Sequence, residues 1–204
     1  MHIVIGANGL AKQVLPLYNG NPRVIFFDDT EESEDYLYEH KIVHNLEWVK
    51  EHTSNNEIVN FSICVGNPKW REYFFNHLVN LGATPINILS ELSSIQERSE
   101  INTGNIFLDY TLVEMNVKIG KGNLINCYAG LFHDSIIGDF NEIMPGAKIL
   151  GGAKIGNSCR IGTNATILPQ IQICSGVIIG AGAVVTKNIT EPGTYIGIPA
   201  RKQG

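Results

Sequence analysis

Residues 155–185 read IGNSCRIGTNATILPQIQICSGVIIGAGAVV, and in this stretch a large apolar residue returns at every sixth position. The spacing continues toward the N-terminus without a break, so that sixteen successive sixth positions from Ile95 to Val185 are apolar. A period of six matches neither the 3.6-residue period of an amphipathic helix nor the two-residue period of a strand. It is typical of a chain that turns a corner every six residues and returns above itself after three corners. The repeat therefore predicts a parallel β-helix of triangular cross-section.

The corners of this predicted β-helix carry a second pattern. Small residues recur four positions after many of the apolar residues, as the narrow interior of a corner requires. They are Ser99, Thr111, Ala129, Ser135, Ala147, Ala153, Cys159, Ala165 and Ala183. A glycine directly follows the apolar residue at 120, 138, 156, 162 and 180, where we expect the turn to need a positive φ. The open ends of such a stack need caps.

The first ninety residues follow a different pattern, in which short apolar strands alternate with helical segments. We predict strands over 2–5, 23–27, 58–65 and 85–89, and helices over 10–18 and from Pro68 to Leu81. This alternation favours a small unit with a parallel sheet. We therefore expect two domains, residues 1–90 and residues 91–204.

Turns that follow the predicted strands are the candidate ligand site of the first domain, because parallel sheets bind ligands at the carboxyl ends of their strands. Gly9 precedes a helix, where a phosphate can approach backbone N–H groups. Asp28 lies nineteen residues later, close to the spacing at which an acidic residue meets a ribose hydroxyl. The glycine fingerprint is incomplete, so a nucleotide site and a plain strand-to-helix turn are both open. The three turns are 6–10, 28–29 and 66–67.

Composition excludes several classes of protein. The net charge is −5 and no basic patch is present, so we expect no nucleic acid partner. No stretch approaches eighteen apolar residues, and the N-terminal residues lack the features of a signal peptide, so we expect no membrane association. The four cysteines show no paired spacing, and we interpret them as free thiols of a cytoplasmic protein.

The predicted β-helix contains one histidine, His133, and Asp134 follows it. An imidazole beside a carboxylate suits a general base, while a solvated pair at a corner is the alternative. Neighbouring residues of a strand point to opposite faces, so Asp134 reaches the imidazole only through a local turn or across an interface. A single histidine without a cysteine or carboxylate cluster is too little for a shared zinc site, so we expect no metal.

Seven segments, taken in their order and spacing, resemble one protein family. They are IGANG (5–9), FFDD (26–29), VGN (65–67) with Arg71, FHDSIIGDF (132–140), PGA (145–147), IGAGAVV (179–185) and GIPAR (197–201). The chain is similar to the hexapeptide acyltransferases, which fold as left-handed parallel β-helices. It most resembles bacterial sugar acetyltransferases with a small nucleotide-sugar domain in front, including the bacillosamine-type enzymes and the sialic acid O-acetyltransferases. The resemblance implies a small Rossmann-like α/β domain followed by a left-handed parallel β-helix.

The resemblance also implies an activity and an assembly. It implies a homotrimer with active sites between neighbouring prisms. The expected reaction is acetyl-CoA-dependent N-acetylation of a nucleotide-linked 4-amino-4,6-dideoxy sugar, an activity of polysaccharide biosynthesis. By similarity His133 is the general base and Asp134 raises its basicity. The residues expected at the sugar nucleotide are Asn8, Gly9, Leu10, Asp28, Asp29, Gly66 and Asn126, and those at acetyl-CoA are Gly151, Thr163 and Ala181.

Two positions depart from the family pattern. Glu142 stands where relatives often have a second histidine that contacts the acyl group or the sugar, and a carboxylate cannot donate to a carbonyl. Leu10 replaces a common polar residue of the glycine turn. The alternatives are an O-acetyltransferase for a sugar such as sialic acid, a non-catalytic trimeric scaffold and, least favoured, a metal-dependent hydratase. The residues do not select among uracil, thymine and guanine as the base.

Overall fold

The computed structural model describes residues 1–18, 23–30 and 34–203, and it confirms the predicted fold class. The chain forms two compact units, Met1–Ile88 and a second unit from Leu89 onward. The first is a Rossmann-like α/β unit and the second a left-handed parallel β-helix. All four cysteines are free thiols, as predicted. Within the described ranges, no helix is long and apolar enough to cross a bilayer.

The first unit is a six-stranded sheet in the order β3-β4-β2-β1-β5-β6. All neighbouring strands are parallel except β3 and β4. The strand order reverses around β1, which places a switch point at its carboxyl end. The strands are β1 (His2–Ile5), β2 (Val24–Phe27), β3 (Tyr36–Leu37), β4 (His40–Val43), β5 (Asn60–Ile63) and β6 (Thr84–Pro85). The helices are α1 (Gly9–Val14), α2 (Glu47–Ser54) and α3 (Pro68–Asn80), and a 3-10 turn follows α1 over Leu15–Tyr18.

Three elements of this unit, β3, β4 and α2, were not predicted. Each of them buries a single side chain, namely Leu37, Ile42 and Val49. One buried residue per element is too few to produce an apolar period in the sequence, and the pairing with β2 is what holds β4 in place.

Helix α3 begins at Pro68, as predicted, and its start is well determined. The side chain of Asn67 accepts a hydrogen bond from the N–H of Lys69 at 3.0 Å, which caps the helix. The fully buried Arg71 donates from Nη1 to the carbonyl oxygens of Ile63 at 2.7 Å and Val65 at 2.9 Å. These bonds fix the backbone between β5 and α3, where the predicted turn 66–67 lies.

A buried histidine makes the stability of the first unit depend on pH. The imidazole of His2 lies 3.0 Å from the Ser62 hydroxyl, which also bonds the phenol of Tyr18. Burial, and then the charge of the Met1 amino group, lower the pKa of His2 from 6.5 to about 4. Between these two pH values the unfolded chain therefore binds a proton at His2, while the imidazole stays neutral in the folded chain. His2 therefore does not reduce the free energy of unfolding above pH 6.5. The free energy of unfolding decreases as the pH falls from 6.5 toward 4.

We expect the titration of His2 alone to lower the free energy of unfolding by about 2 kcal/mol when the pH falls from 7.5 to 5. Urea unfolding followed by tryptophan emission measures it, because the two tryptophans, Trp48 and Trp70, both lie in the first unit. In the variant His2→Gln the loss between the two pH values is smaller by that amount. Equal losses in the two proteins would contradict the assignment.

The second unit stacks its strands into three walls, in the orders β10-β13-β16-β19-β22-β24-β25, β8-β11-β14-β17-β20-β23 and β9-β12-β15-β18-β21. A short strand, β7 (Ile88–Leu89), lies at the boundary of the units. The strands are β8 (Ser94–Ile95), β9 (Glu100–Ile101), β10 (Ile106–Phe107), β11 (Leu112–Val113), β12 (Lys118–Ile119), β13 (Leu124–Ile125), β14 (Gly130–Leu131), β15 (Ile136–Ile137), β16 (Glu142–Ile143), β17 (Lys148–Ile149), β18 (Lys154–Ile155), β19 (Arg160–Ile161), β20 (Thr166–Ile167), β21 (Gln172–Ile173), β22 (Val177–Ile179), β23 (Val184–Val185), β24 (Gly193–Ile196) and β25 (Arg201–Lys202).

The predicted repeat is confirmed residue by residue. Every strand from β8 to β23 ends in one of the sixteen apolar residues. Parallel pairing joins each of these residues from Ile95 to Ile167 to the one eighteen positions later, as in Ile119 with Ile137 and Ile137 with Ile155. Fourteen of them are buried in one core, and Ile95 and Ile101 pack against it at the first coil. At the other end β25 turns back antiparallel to β24 and interrupts the parallel stacking.

The prediction of positive φ at the glycines after the apolar residues is wrong. Positive φ occurs two positions later, at every corner from Arg98 to Gly182. These glycines are needed for a steric reason. A Cβ at Gly138 would lie 2.7 Å from the carbonyl oxygen of Gly156 in the next coil. The close approach of stacked backbones therefore excludes a side chain at these positions.

Candidate active site

His133 and Asp134 lie in the turn between β14 and β15, and their side chains meet. Asp134 occupies the positive-φ position of its corner, with φ of 61°. Because of this turn, the two neighbouring side chains do not point to opposite faces as they would in a strand. Oδ2 of Asp134 therefore lies 2.9 Å from Nδ1 of His133. Of the two routes considered from the sequence, the local turn is the one that the structure uses. Both side chains are exposed, by 63% and 58%.

The carboxylate of Asp134 is held on its second side by the preceding coil. Asn116 occupies the same corner position eighteen residues earlier and donates from Nδ2 to Oδ1 of Asp134 at 3.1 Å. The hydrogen bond from His133, followed by that from Asn116, lowers the pKa of Asp134. A charged carboxylate opposite Nδ1 selects the tautomer with the proton on that nitrogen. The lone pair of the imidazole is then on Nε2, where a general base needs it.

Two further residues of the same corner contact His133. The backbone N–H of His133 donates to Oε2 of Glu114 at 3.0 Å. In the next coil, a Cβ at Gly151 would lie 2.5 Å from Cε1 and 2.6 Å from Nε2 of the imidazole. The absence of a side chain at Gly151 therefore makes the room that the ring occupies. Gly151, predicted from the family to contact acetyl-CoA, is thus adjacent to the predicted base.

The predicted β-helix residues fall into two corners of the prism. The first corner is formed by the turns that follow β13, β16, β19 and β22, and it contains Asn126, Thr163 and Ala181. The second corner is formed by the turns that follow β11, β14, β17 and β20, and it contains His133 and Gly151. Within one chain the predicted residues of the β-helix therefore form two groups, one at each of two corners. One wall of the prism lies between these corners.

Glu142 lies on the wall beside Asn126, and its carboxylate is hydrogen-bonded within the protein. Its side chain is 11% exposed, and its Oε2 accepts a hydrogen bond from Nε of Arg160 at 2.8 Å. The two residues face each other in the register of β16 and β19. Nearby, Nδ2 of Asn126 donates to the carbonyl oxygen of Ile143 at 3.2 Å. Glu142 thus accepts a hydrogen bond from the cationic side chain of Arg160.

In the first unit, the three predicted turns border one cavity of about 900 Å³ at the carboxyl ends of β1, β2 and β5. Five of the predicted residues line it, and Gly9 lies between two of them at the start of α1. The five are Asn8, Leu10, Asp28, Asp29 and Gly66. Lining residues that the sequence did not identify are Thr30, His44, Asn45, Leu46, Trp70, Tyr73, Phe74 and His77. The only signal for the last four was their spacing on one face of α3.

The two neighbouring aspartates of this cavity have different surroundings. Asp28 is 5% exposed and accepts bonds from the backbone N–H of Ala7 at 3.1 Å and Nδ2 of Asn8 at 3.3 Å. Its other oxygen accepts from the N–H and the hydroxyl of Thr30, at 3.0 and 2.7 Å. Asp28 therefore ties the turn after β1 to the turn after β2. Asp29 is exposed and lines the same cavity, so its carboxylate is accessible to a ligand.

In the parts of the chain that the structure describes, no group of three or more His, Cys, Asp or Glu side chains could hold a metal ion. His44, which lines the cavity, bonds the carbonyl oxygen of Asp28 at 2.8 Å and the carboxylate of Asp35 at 3.1 Å. These two bonds raise the pKa of His44. Both ring nitrogens of His44 are thus bonded to oxygen atoms of the protein.

Comparison with known proteins agrees with this architecture. Residues 134–169 and 152–187 match the family model described as bacterial transferase hexapeptide (six repeats). The GDP-perosamine N-acetyltransferase of Escherichia coli O157:H7 is 33% identical over 137 residues, which are 67% of this chain and 54% of that protein. The chain therefore spans about half the length of that relative.

Two solved structures are similar over nearly the whole chain. WeeI from Acinetobacter baumannii AYE is 30% identical, with a TM-score of 0.92 over 100% of this chain and 99% of that one. The acetyltransferase domain of PglB from Neisseria gonorrhoeae FA1090, solved in complex with acetyl coenzyme A, is 25% identical, with a TM-score of 0.91 over 99% and 98% of the two chains. The six-residue repeat, the small α/β unit in front of it and these similarities lead to one conclusion: the chain belongs to the bacterial hexapeptide transferase family.

Proposed function

We propose that the protein is an acetyl-CoA-dependent N-acetyltransferase that acts on the amine of a nucleotide-linked amino-deoxy sugar of the 4-amino-4,6-dideoxy type. The observation that carries this proposal is the imidazole of His133, held by Asp134 at Nδ1 and placed against Gly151 with Nε2 available. The cavity of the first unit supports it, because it is large enough for a nucleotide. The relative named for GDP-perosamine N-acetylation supports the amino-sugar substrate.

In the proposed reaction the sugar amine attacks the acetyl carbonyl carbon of acetyl-CoA. A C–N bond forms while the amine proton passes to Nε2 of His133. The C–S bond then breaks, and the sulfur of CoA leaves with the proton that the imidazolium returns. A positioned base contributes roughly 10²–10⁴ in rate, and one backbone N–H aimed at the carbonyl oxygen about 3 kcal/mol. No metal and no covalent enzyme intermediate takes part.

The remaining predicted residues receive binding roles in this proposal. The turns of the first unit hold the nucleotide-linked sugar, with Asp29 as the exposed carboxylate and Asp28 as the support of both turns. Asn126 lies toward the sugar, and acetyl-CoA lies along the coils at Gly151, Thr163 and Ala181. Glu142 is assigned no contact with the acyl group, because Arg160 occupies its carboxylate. We place the reaction in the cytoplasm, in keeping with four free thiols.

We further propose that the active protein is a homotrimer. The predicted residues lie in two corners of each prism, and a single ligand contacts both groups readily when the first corner of one copy adjoins the second corner of another. Sedimentation equilibrium is expected to give three times the 22.4 kDa mass of the chain. A stable single chain that is fully active would contradict the shared site.

The activity is tested by offering amino and hydroxy sugars side by side and following the release of free CoA. The candidates are UDP-, dTDP- and GDP-linked 4-amino-4,6-dideoxy sugars, the corresponding hydroxy sugars and free sialic acid. We expect CoA release with an amino sugar nucleotide only. Turnover with hydroxy sugars alone would establish an O-acetyltransferase instead. Calorimetry that detects no binding of acetyl-CoA at millimolar concentration would favour the non-catalytic scaffold.

A further inference from the structure

Helix α3 turns an unusual set of side chains toward the cavity of the first unit. Trp70, Tyr73, Phe74 and His77 all line it, and their spacing places them on one face of the helix. Phe74 is nearly buried and packs edge-on against Phe27, with ring centroids 5.7 Å apart. Trp70 and Tyr73, in contrast, are 54% and 53% exposed. Two large aromatic rings at this cavity therefore leave about half of their surface exposed.

The rings of this face are arranged as a recess. The planes of Trp70 and Tyr73 meet at 88°, with centroids 5.7 Å apart. The ring of His77 is stacked on that of Tyr73, with planes that differ by 5° at a centroid distance of 5.8 Å. A planar group that lies against the indole of Trp70 therefore presents its edge to the phenol of Tyr73. Phe74 packs behind the recess and contacts the rings of both Trp70 and Tyr73.

The polar groups of the cavity show which part of a ligand belongs in the recess. The turn after β1 lines the cavity through Asn8 and Leu10, and the open space around Gly9 between them lets a phosphate approach the backbone. The exposed carboxylate of Asp29 suits sugar hydroxyls. Neither kind of group is present on the lining face of α3, where aromatic surface predominates. Stacking on such surface accepts every nucleic acid base, because each has a π-face.

We propose that the aromatic face of α3, formed by Trp70, Tyr73 and His77, is the nucleobase subsite of this protein. The base of a nucleoside diphosphate stacks on the indole of Trp70, while its phosphates lie toward the turn after β1. The subsite rests on the proposed function, since it assigns a place to one part of the proposed substrate. Asn45, between β4 and α2, is a polar residue of the cavity lining that can face the edge of the base.

The chain offers a direct test because it has only two tryptophans. Trp48 does not line the cavity and stacks on His52 instead. The variant Trp48→Phe makes Trp70 the sole tryptophan and is also the matched control for aromatic substitution in this unit. We expect UDP, GDP and dTDP to change the emission of Trp70 in this variant. Inorganic pyrophosphate and ribose 5-phosphate, which lack a base, are expected to leave the emission unchanged.

Calorimetry on the full-length protein completes the test. We expect Trp70→Ala to weaken nucleoside diphosphate binding about 10- to 100-fold, with Trp70→Phe intermediate and Trp48→Phe unchanged. The exposure of Trp70 makes loss of folding by this change unexpected, and circular dichroism checks it, with Tyr73→Ala as the second variant. Nucleotide binding that neither changes Trp70 emission nor responds to these variants overturns the subsite and leaves the proposed function standing. If no nucleotide and no sugar nucleotide binds, both fail.

Discussion

The variant His133→Ala is expected to lose a factor of about 10²–10⁴ in kcat/KM for acetyl transfer, which is what a positioned general base contributes. The loss should appear in kcat. The affinity for nucleoside diphosphates, measured by calorimetry, should stay unchanged because the described residues that line the cavity belong to the first unit, whereas His133 belongs to the second. The assay is the release of free CoA with an amino-sugar nucleotide that the wild-type protein turns over.

The matched control for this variant is His52→Asn. His52 lies on α2, bonds the carbonyl oxygen of Trp48 at 2.7 Å and lines no cavity that is assigned a role. Its replacement should leave kcat and KM unchanged. If His133→Ala retained near wild-type turnover, His133 would be ruled out as the base, and the family assignment would stand without the mechanism.

The variant Gly151→Ala has the second largest expected effect, a loss of about 10² in kcat. Gly151 does not have a positive φ, so the backbone accepts an alanine. The new Cβ, however, would lie 2.5 Å from Cε1 of His133 and must displace the imidazole. A displacement of about 1 Å in a reacting group costs on the order of 10² in rate. The thermal unfolding midpoint should change little, since the exposed imidazole can move into solvent.

A double-mutant cycle separates this displacement from a direct loss of acetyl-CoA contact. In the background His133→Ala, the imidazole is absent, so adding Gly151→Ala should cause no further loss of kcat. If Gly151→Ala lowered turnover equally in both backgrounds, the glycine would act through acetyl-CoA and the proposed collision with His133 would be wrong. The same four proteins thus test both residues.

The fold of the β-helix could be predicted almost completely from the sequence. The sixteen apolar residues from Ile95 to Val185 occupy the same place in every coil, and burial in the prism requires that regularity. The elements of the first unit were predicted where several residues of one element are buried, as in α3. They were missed in β3, β4 and α2, where a single side chain reaches the core. Such elements are held by pairing with distant strands, which leaves no local pattern.

The candidate site could be predicted in its residues but not in its arrangement. His133 and Asp134 were identified, yet their contact depends on a positive φ that a residue other than glycine adopts at Asp134. The two aspartates after β2 look equivalent in the sequence. In the structure Asp28 supports two turns and Asp29 faces the cavity, because only the fold brings Ala7, Asn8 and Thr30 around Asp28.

The sequence by itself determined the class of fold, the eighteen-residue coil and the list of polar residues at turns, because these follow from spacings within a few dozen residues. Only the tertiary structure decided that Asn116 holds Asp134, that Gly151 makes room for the imidazole and that Trp70 and Tyr73 form a recess. The physical reason is that these relations depend on distances between successive coils and on the direction of side chains at turns. Both are set by the packing of the whole unit, and no local sequence pattern encodes them.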